Sequence, residues 1–180
     1  MPDLLTHYLA SYLISSRVTK IKYSLIIALA GTLPDIDVVF GIHRWVTHSL
    51  IVTLAALTPA LLIIYLFKRE YVKIAVLAAS LYVTHVILDT LTSPTPALWP
   101  LTQSIQIKAE ITGAVSNDGI AVKPIIDVIT KPTDFTQKTI IEGLLITEAS
   151  LILAMITAAI TLAEYFVSGK RVVPHEDRVC

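Results

Sequence analysis

Neutral imidazole and carboxylate groups recur in four short polar stretches of an otherwise apolar chain. They are Thr6-His7, Pro34-Asp35-Ile36-Asp37, His43-Arg44-Trp45-Val46-Thr47-His48-Ser49 and His85-Val86-Ile87-Leu88-Asp89. Together they hold four of the five histidines and three of the fourteen acids, all in the first half of the sequence. This is the donor set that holds zinc, manganese or iron and activates a bound water. His85 and Asp89, four residues apart, project from one helix face one turn apart, a spacing that any amphipathic helix also produces. Asp35 and Asp37 after a proline equally suit a turn. His43 and His48 flank Trp45, an interfacial anchor type, and His7 reads singly as a polar residue near a helix start. Each stretch alone has a plain structural reading. The set points further, because ionisable groups at membrane depth are costly and are functional candidates by default.

The elements that must position these groups follow from composition. Of 180 residues, 54% are hydrophobic and 16% charged, against about 25% charged in soluble domains. The length suits one membrane domain over residues 1–180. Fourteen basic and fourteen acidic residues cancel, so no basic field invites nucleic acid. Cys180 is the sole cysteine, which excludes an intrachain disulfide. The N-terminus lacks the pattern of a cleaved signal peptide, so the chain is expected to enter the bilayer through its own spans.

The fold class expected is mainly α, a multi-pass transmembrane helical bundle. Three long spans are read at residues 49–67, 71–91 and 139–167, each able to cross a hydrocarbon core of about 30 Å. Pro59 in the first is tolerated in a membrane helix. Two shorter N-terminal helices precede them: residues 4–15, capped by Asp3, and residues 21–33, ended by Pro34. An extramembrane loop over 92–138 interrupts the bundle. In it Ile105-Gln106-Ile107-Lys108-Ala109-Glu110-Ile111 alternates as a strand does, and Asn117-Asp118-Gly119 signals the turn of a small β-hairpin. The tail, 169–180, is polar and expected to be disordered.

Basic residues orient the bundle. Arg17, Lys20 and Lys22 sit at the first helix turn, Lys68, Arg69 and Lys73 at the turn between the first two long spans, and Lys170 and Arg171 after the last. With the chain crossing up and down in order, these clusters share one side, which the positive-inside rule makes cytoplasmic. The polar stretches then meet at the opposite, extracytoplasmic face.

Thr6-His7, Gly31 to Asp37, His43-Arg44, Thr47-His48-Ser49, His85 with Asp89, and Leu98-Trp99-Pro100, in this order, resemble the YdjM-like family of membrane-bound metal-dependent hydrolases. The similarity covers roughly residues 1–105. That family is grouped with the zinc-dependent phospholipase C and single-strand nuclease superfamily. The resemblance therefore implies an all-α zinc site and phosphoester hydrolysis; the hairpin loop has no counterpart in that superfamily's fold. Carried over by position, His7, Asp35, Asp37, His48, His85 and Asp89 are the implied metal ligands, with His43 beside them. So many donors exceed one tetrahedral ion and suit two, about 3.5–4 Å apart, clamping a phosphoester around an activated water.

Arg44 is placed to bind a phosphoryl group in bidentate fashion, or else a lipid headgroup or carboxylate. Asp37 alternatively serves as general base or as orienter of a histidine. Trp99 and Pro100 brace the rim, and Thr47 and Ser49 read as helix caps. Glu142, Glu148 and Glu164 are left out of the site. A site at the membrane surface favours a phospholipid or lipid-linked phosphate. Two other classes fit the same residues: a metal or ion transporter, with ligands spread in depth along several helices, and a non-catalytic regulatory protein holding a structural metal.

Overall fold

The structure is a computed structural model that describes residues 3–42, 44–116, 119–139 and 145–169. Among these residues five α-helices are seen: α1 (Leu4–Ser16), α2 (Ile21–Ile27), α3 (Leu50–Phe67), α4 (Val72–Thr92) and α5 (Glu148–Gly169). A thirteen-residue 3₁₀ helix, Ala28–Phe40, continues α2, and a short one, Val46–His48, leads into α3. Among the described residues, four stretches are long and apolar enough to cross a membrane: Ile21–Phe40, Leu50–Phe67, Arg69–Thr92 and Glu148–Val167.

The second N-terminal helix thus differs from expectation. It does not stop at Pro34 but runs to Phe40 and becomes a fourth candidate span. The reason lies in its winding. Its buried residues are Ala28, Gly31, Pro34 and Asp37, a strict interval of three that aligns on one face only when a turn holds three residues. The switch to 3₁₀ winding begins at Ala28, before the proline. It also lengthens the element, since a 3₁₀ residue rises about 2.0 Å against about 1.5 Å in an α-helix.

Two further stripes meet that face. On α1 the buried positions include His7, Ser11 and Ser15, four apart; on α4 they include Leu77, Leu81, His85 and Asp89 at the same interval. Small residues on α1 allow close packing of the kind membrane helices use. A Cβ on Gly31 would lie 1.8 Å from Ser11 Oγ, so glycine is required where the two backbones approach. At the far end Ser15 Oγ donates to Ser24 O at 3.2 Å. Each stripe carries its ionisable groups toward the same end: His7 on the first turns of α1, Asp37 near the end of the 3₁₀ helix, and Asp89 near the end of α4.

α5 runs parallel to α1. Asp3 caps α1 by accepting from Thr6 N at 2.8 Å and also accepts from Thr147 N, just ahead of α5. Leu5 N donates to Leu145 O at 3.3 Å, Tyr12 Oη and Thr161 Oγ1 lie 3.3 Å apart, and Arg17 pairs with Glu164. By contrast, α3 leaves nearly all of its apolar surface outward, as a lipid-facing helix does. Of the third long span, expected over 139–167, the described part forms α5 from Glu148, and residues 140–144 lie outside the described residues.

The loop contains an antiparallel hairpin, β1 (Ser104–Ser116) with β2 (Gly119–Lys131), in continuous register from Ser104↔Lys131 to Ser116↔Gly119. Asn117 and Asp118, on which the turn was read, lie outside the described residues, as do Glu142 and the tail after Gly169. The hairpin's root is tied to the helical bundle. Thr95 bridges Ile105, Lys138 N donates to Gly41 O at 2.7 Å, and Gln137 Nε2 donates to Phe40 O at 3.1 Å.

Candidate metal centre

His85 projects inward from α4, and its Nδ1 lies 2.7 Å from Gly31 O. In a 3₁₀ turn a carbonyl accepts from the amide three residues on. For Gly31 that residue is Pro34, which has no N–H. The proline therefore frees the carbonyl, and the imidazole of His85 takes the place of the missing donor. With Nδ1–H donating there, Nε2 presents its lone pair to the interior.

His48 is oriented in the same manner. Asp37 Oδ2 lies 3.1 Å from His48 Nδ1 and also accepts from Trp45 N at 2.7 Å and Thr47 Oγ1 at 2.9 Å. This again turns Nε2 toward the interior. The two Nε2 atoms face each other at 3.3 Å. Two lone pairs at that distance repel unless a cation, proton or metal, lies between them. Burial alone lowers the pKa of His48. Hydrogen bonds donated to Asp35 and Asp37, with the charges of Asp37 and Asp89, outweigh it and raise the value to about 8.

Asp35 completes one group of donors. Its Oδ1 lies 3.6 Å from His48 Nε2 and 3.5 Å from His85 Nε2, and Asp89 Oδ2 lies 3.5 Å from His48 Nε2. A tetrahedron of ligands about 2.0–2.1 Å from a zinc ion has edges of about 3.3 Å, so these separations are those of a ligand shell. His7, His85 and Asp89 form a second compatible group. The rings of His7 and His85 stack at 3.7 Å, and His7 Nε2 lies 3.2 Å from Asp89 Oδ1. Asp35, with 19% of its side chain exposed, is the more open edge of a cluster whose other members, His7, His48, His85 and Asp89, are almost wholly buried.

Arg44 closes the Asp89 side. Its Nε donates to Asp89 Oδ2 at 3.0 Å and its Nη1 to Pro94 O at 3.5 Å. Its backbone adopts φ 60°, in the left-handed region, which a non-glycine residue takes up at a cost. Arg44 Nη2, His7 Nδ1 and Asp37 Oδ1 are buried and have no hydrogen-bond partner among the described residues. Buried polar atoms are nearly always satisfied, so three orphans around one cluster suit the presence of a further charged group.

His7, Asp35, Asp37, Arg44, His48, His85 and Asp89 are thus all brought together; His43 lies outside the described residues. Ser49 caps α3, accepting from Val52 N at 3.3 Å, and its Oγ donates to Trp99 O at 2.6 Å, which seats the Leu98-Trp99-Pro100 segment beside His48. Thr47 is not a cap: it belongs to the 3₁₀ turn and binds Asp37. Three contributors were missed from the sequence. Tyr82 Oη donates to Thr47 O at 2.7 Å, and its place one turn before His85 is a signal the spacing did carry. The backbones of Gly31 and Trp45 leave no side-chain signal, although Pro34, three residues after Gly31, hints at the first.

No curated protein and no solved structure matches the chain. The family described as YdjM inner membrane protein matches residues 3–167, which takes in all four spans and every described residue of the cluster. The protein belongs to the YdjM inner membrane protein family.

Proposed function

We propose that the protein is a membrane-embedded, metal-dependent hydrolase of phosphoesters, acting on a phospholipid or a lipid-linked phosphate. One observation carries this reading: His48 and His85 are each anchored through Nδ1, so that both Nε2 atoms converge with carboxylates of Asp35 and Asp89 at ligand-shell distances. A divalent ion such as zinc, when bound, supplies Lewis acidity and an activated water.

The chain's own groups divide the remaining work. Asp35, His48 and His85 would hold one ion, and His7 and Asp89, with His85 shared, would form the set for a second. Asp37 acts as a positioning residue, because its Oδ2 is committed to His48 Nδ1, Trp45 N and Thr47 Oγ1. That favours the orienting role over direct ligation. Arg44 neutralises Asp89 and offers Nη2 to a phosphoryl oxygen. Asp35, at the open edge, lies where substrate would approach. Basic turns at Arg17–Lys22 and Lys68–Lys73 are at the opposite ends of their helices from the cluster, which favours an extracytoplasmic site.

The ligands gather at one end of the bundle instead of spreading in depth, which favours hydrolysis over transport. Elemental analysis of the purified protein, with His48→Ala beside it, tests the metal. Hydrolysis of phospholipid or lipid phosphate in detergent with zinc or manganese tests the chemistry. Activity that survives chelation, or persists in His85→Ala and Asp89→Ala, overturns the proposal.

A further inference from the structure

The hairpin places every charged side chain of its strands on one face, which also holds Ile125 and Ile129, and leaves the other face almost wholly apolar. On one face, Ile107 pairs with Val128, Ala109 with Ile126, Ile111 with Pro124 and Gly113 with Val122. On the other, Lys108 pairs with Asp127, Glu110 with Ile125 and Thr112 with Lys123. The apolar face is bare: Ile111 is 79% exposed, Ile120 77% and Ile126 72%. An isolated two-stranded ribbon is marginal in water, and a contiguous apolar patch of this kind marks a contact surface.

We infer that this ribbon lies flat on the bilayer, its apolar face resting at the boundary of headgroups and acyl chains. The occupant follows from where the ribbon is rooted. Ile105 is bridged to Thr95, just past the end of the Arg69–Thr92 span, and Lys138 is bonded to Gly41, at the end of the Ile21–Phe40 span. Thirteen extended residues reach about 43 Å from that point, so the nearest large apolar surface is the membrane that already covers the outward faces of the spans. The ribbon does not insert, because the outer edges of an open two-stranded sheet would carry unpaired backbone groups into hydrocarbon. Lying flat leaves those edges in the hydrated headgroup layer. Pro124, which has no amide to leave unpaired, suits such an edge. The polar face carries Lys108, Lys123 and Lys131 against Glu110 and Asp127. With charges so nearly balanced, apolar contact and not attraction to anionic lipid holds the ribbon down. This inference is independent of the hydrolase reading.

The test uses the full chain in lipid bilayers, with Cys180→Ser as background and an environment-sensitive fluorophore on single cysteines at Ile126→Cys, Ile111→Cys, Lys123→Cys and Thr112→Cys. All four positions are exposed, so labelling leaves the fold intact. Expected are blue-shifted emission and quenching by acyl-brominated lipid at 126 and 111, and water-like, unquenched emission at 123 and 112. The contrast should be the same in neutral and anionic lipid, at low and high salt. Equal emission on both faces overturns the inference. So does a blue shift at 126 that vanishes on diluting the protein in lipid and accompanies disulfide cross-linking of Ile126→Cys between copies, which would assign the face to a second chain.

Discussion

His85 and Gly31 are joined through a vacancy left by a third residue. The Nδ1 of His85 sits 2.7 Å from a carbonyl whose helical donor would have been the amide of Pro34. A proline within a span is tolerated where a neighbouring group satisfies the freed carbonyl; here that group is a candidate metal ligand. The backbone irregularity and the tautomer of His85 are one feature. In Pro34→Ala, the restored amide competes for Gly31 O and loosens the ring. Metal affinity should fall with the helical content retained, as read by competition with a chelator and by circular dichroism. Unchanged affinity would separate the two.

Gly31→Ala places a Cβ within 1.8 Å of Ser11 Oγ. Overpacking of this kind costs about 1–3 kcal/mol, and here it drives α1, with His7, away from His85. We expect a lower Tm in detergent and reduced metal content. The double variant Ser11→Gly/Gly31→Ala removes the clash and should recover both; if it recovers neither, the close approach is not the cause.

Asp37→Asn preserves shape but weakens the anchor on His48. Loss of such an outer partner typically lowers metal affinity by about 10–100-fold. Titration of the apo protein with zinc should show that drop while His48→Ala loses the site outright. Equal, complete loss in both variants would instead make Asp37 a ligand.

Metal binding must displace the proton that His48 retains, its pKa being raised from 6.5 to about 8 by the surrounding carboxylates against the opposing effect of burial. Affinity should therefore rise about tenfold per pH unit up to about pH 8 and then level off. The metal-free protein responds in the opposite sense. A raised folded-state pKa gives stability that is full below about pH 6.5 and is lost as pH climbs through about 8. Thermal unfolding with and without zinc across that range checks both signs.

Asp3 links the starts of α1 and α5. Its burial raises the carboxyl pKa, but hydrogen bonds from Ser150, Thr147 and Thr6 prevail and hold it well below the ordinary 3.8. Its contribution to stability is present above that ordinary value and lost as pH falls below it. Asp3→Ala should cost about 1 kcal/mol or more through the lost cap, measured as a shift in Tm, with Asp3→Asn recovering part of it.

The membrane class, the helical bundle and the residue types of the candidate site were legible in the sequence because hydropathy and charge act locally. A run such as residues 50–67 is long and apolar enough for a membrane span by its own composition, and alternation from Ile105 to Ile111 presents two unlike faces as a strand. His7, Asp35, Asp37, His48, His85 and Asp89 were likewise visible as a set of donors that is costly in an apolar chain, although each alone had a plain structural reading. What the sequence could not decide was the division of labour among them. Pro34 reads locally as a stop, yet tertiary packing carries the chain through it in 3₁₀ form, since Gly31 has Ser11 on one side and His85 on the other. Whether Asp37 grips a metal or a histidine depends on three donors arriving from residues 45–48 at one oxygen. Such roles rest on distances of a few tenths of an ångström between segments dozens of residues apart. Residue type sets the chemistry a group can do; only the folded chain sets which atom it faces.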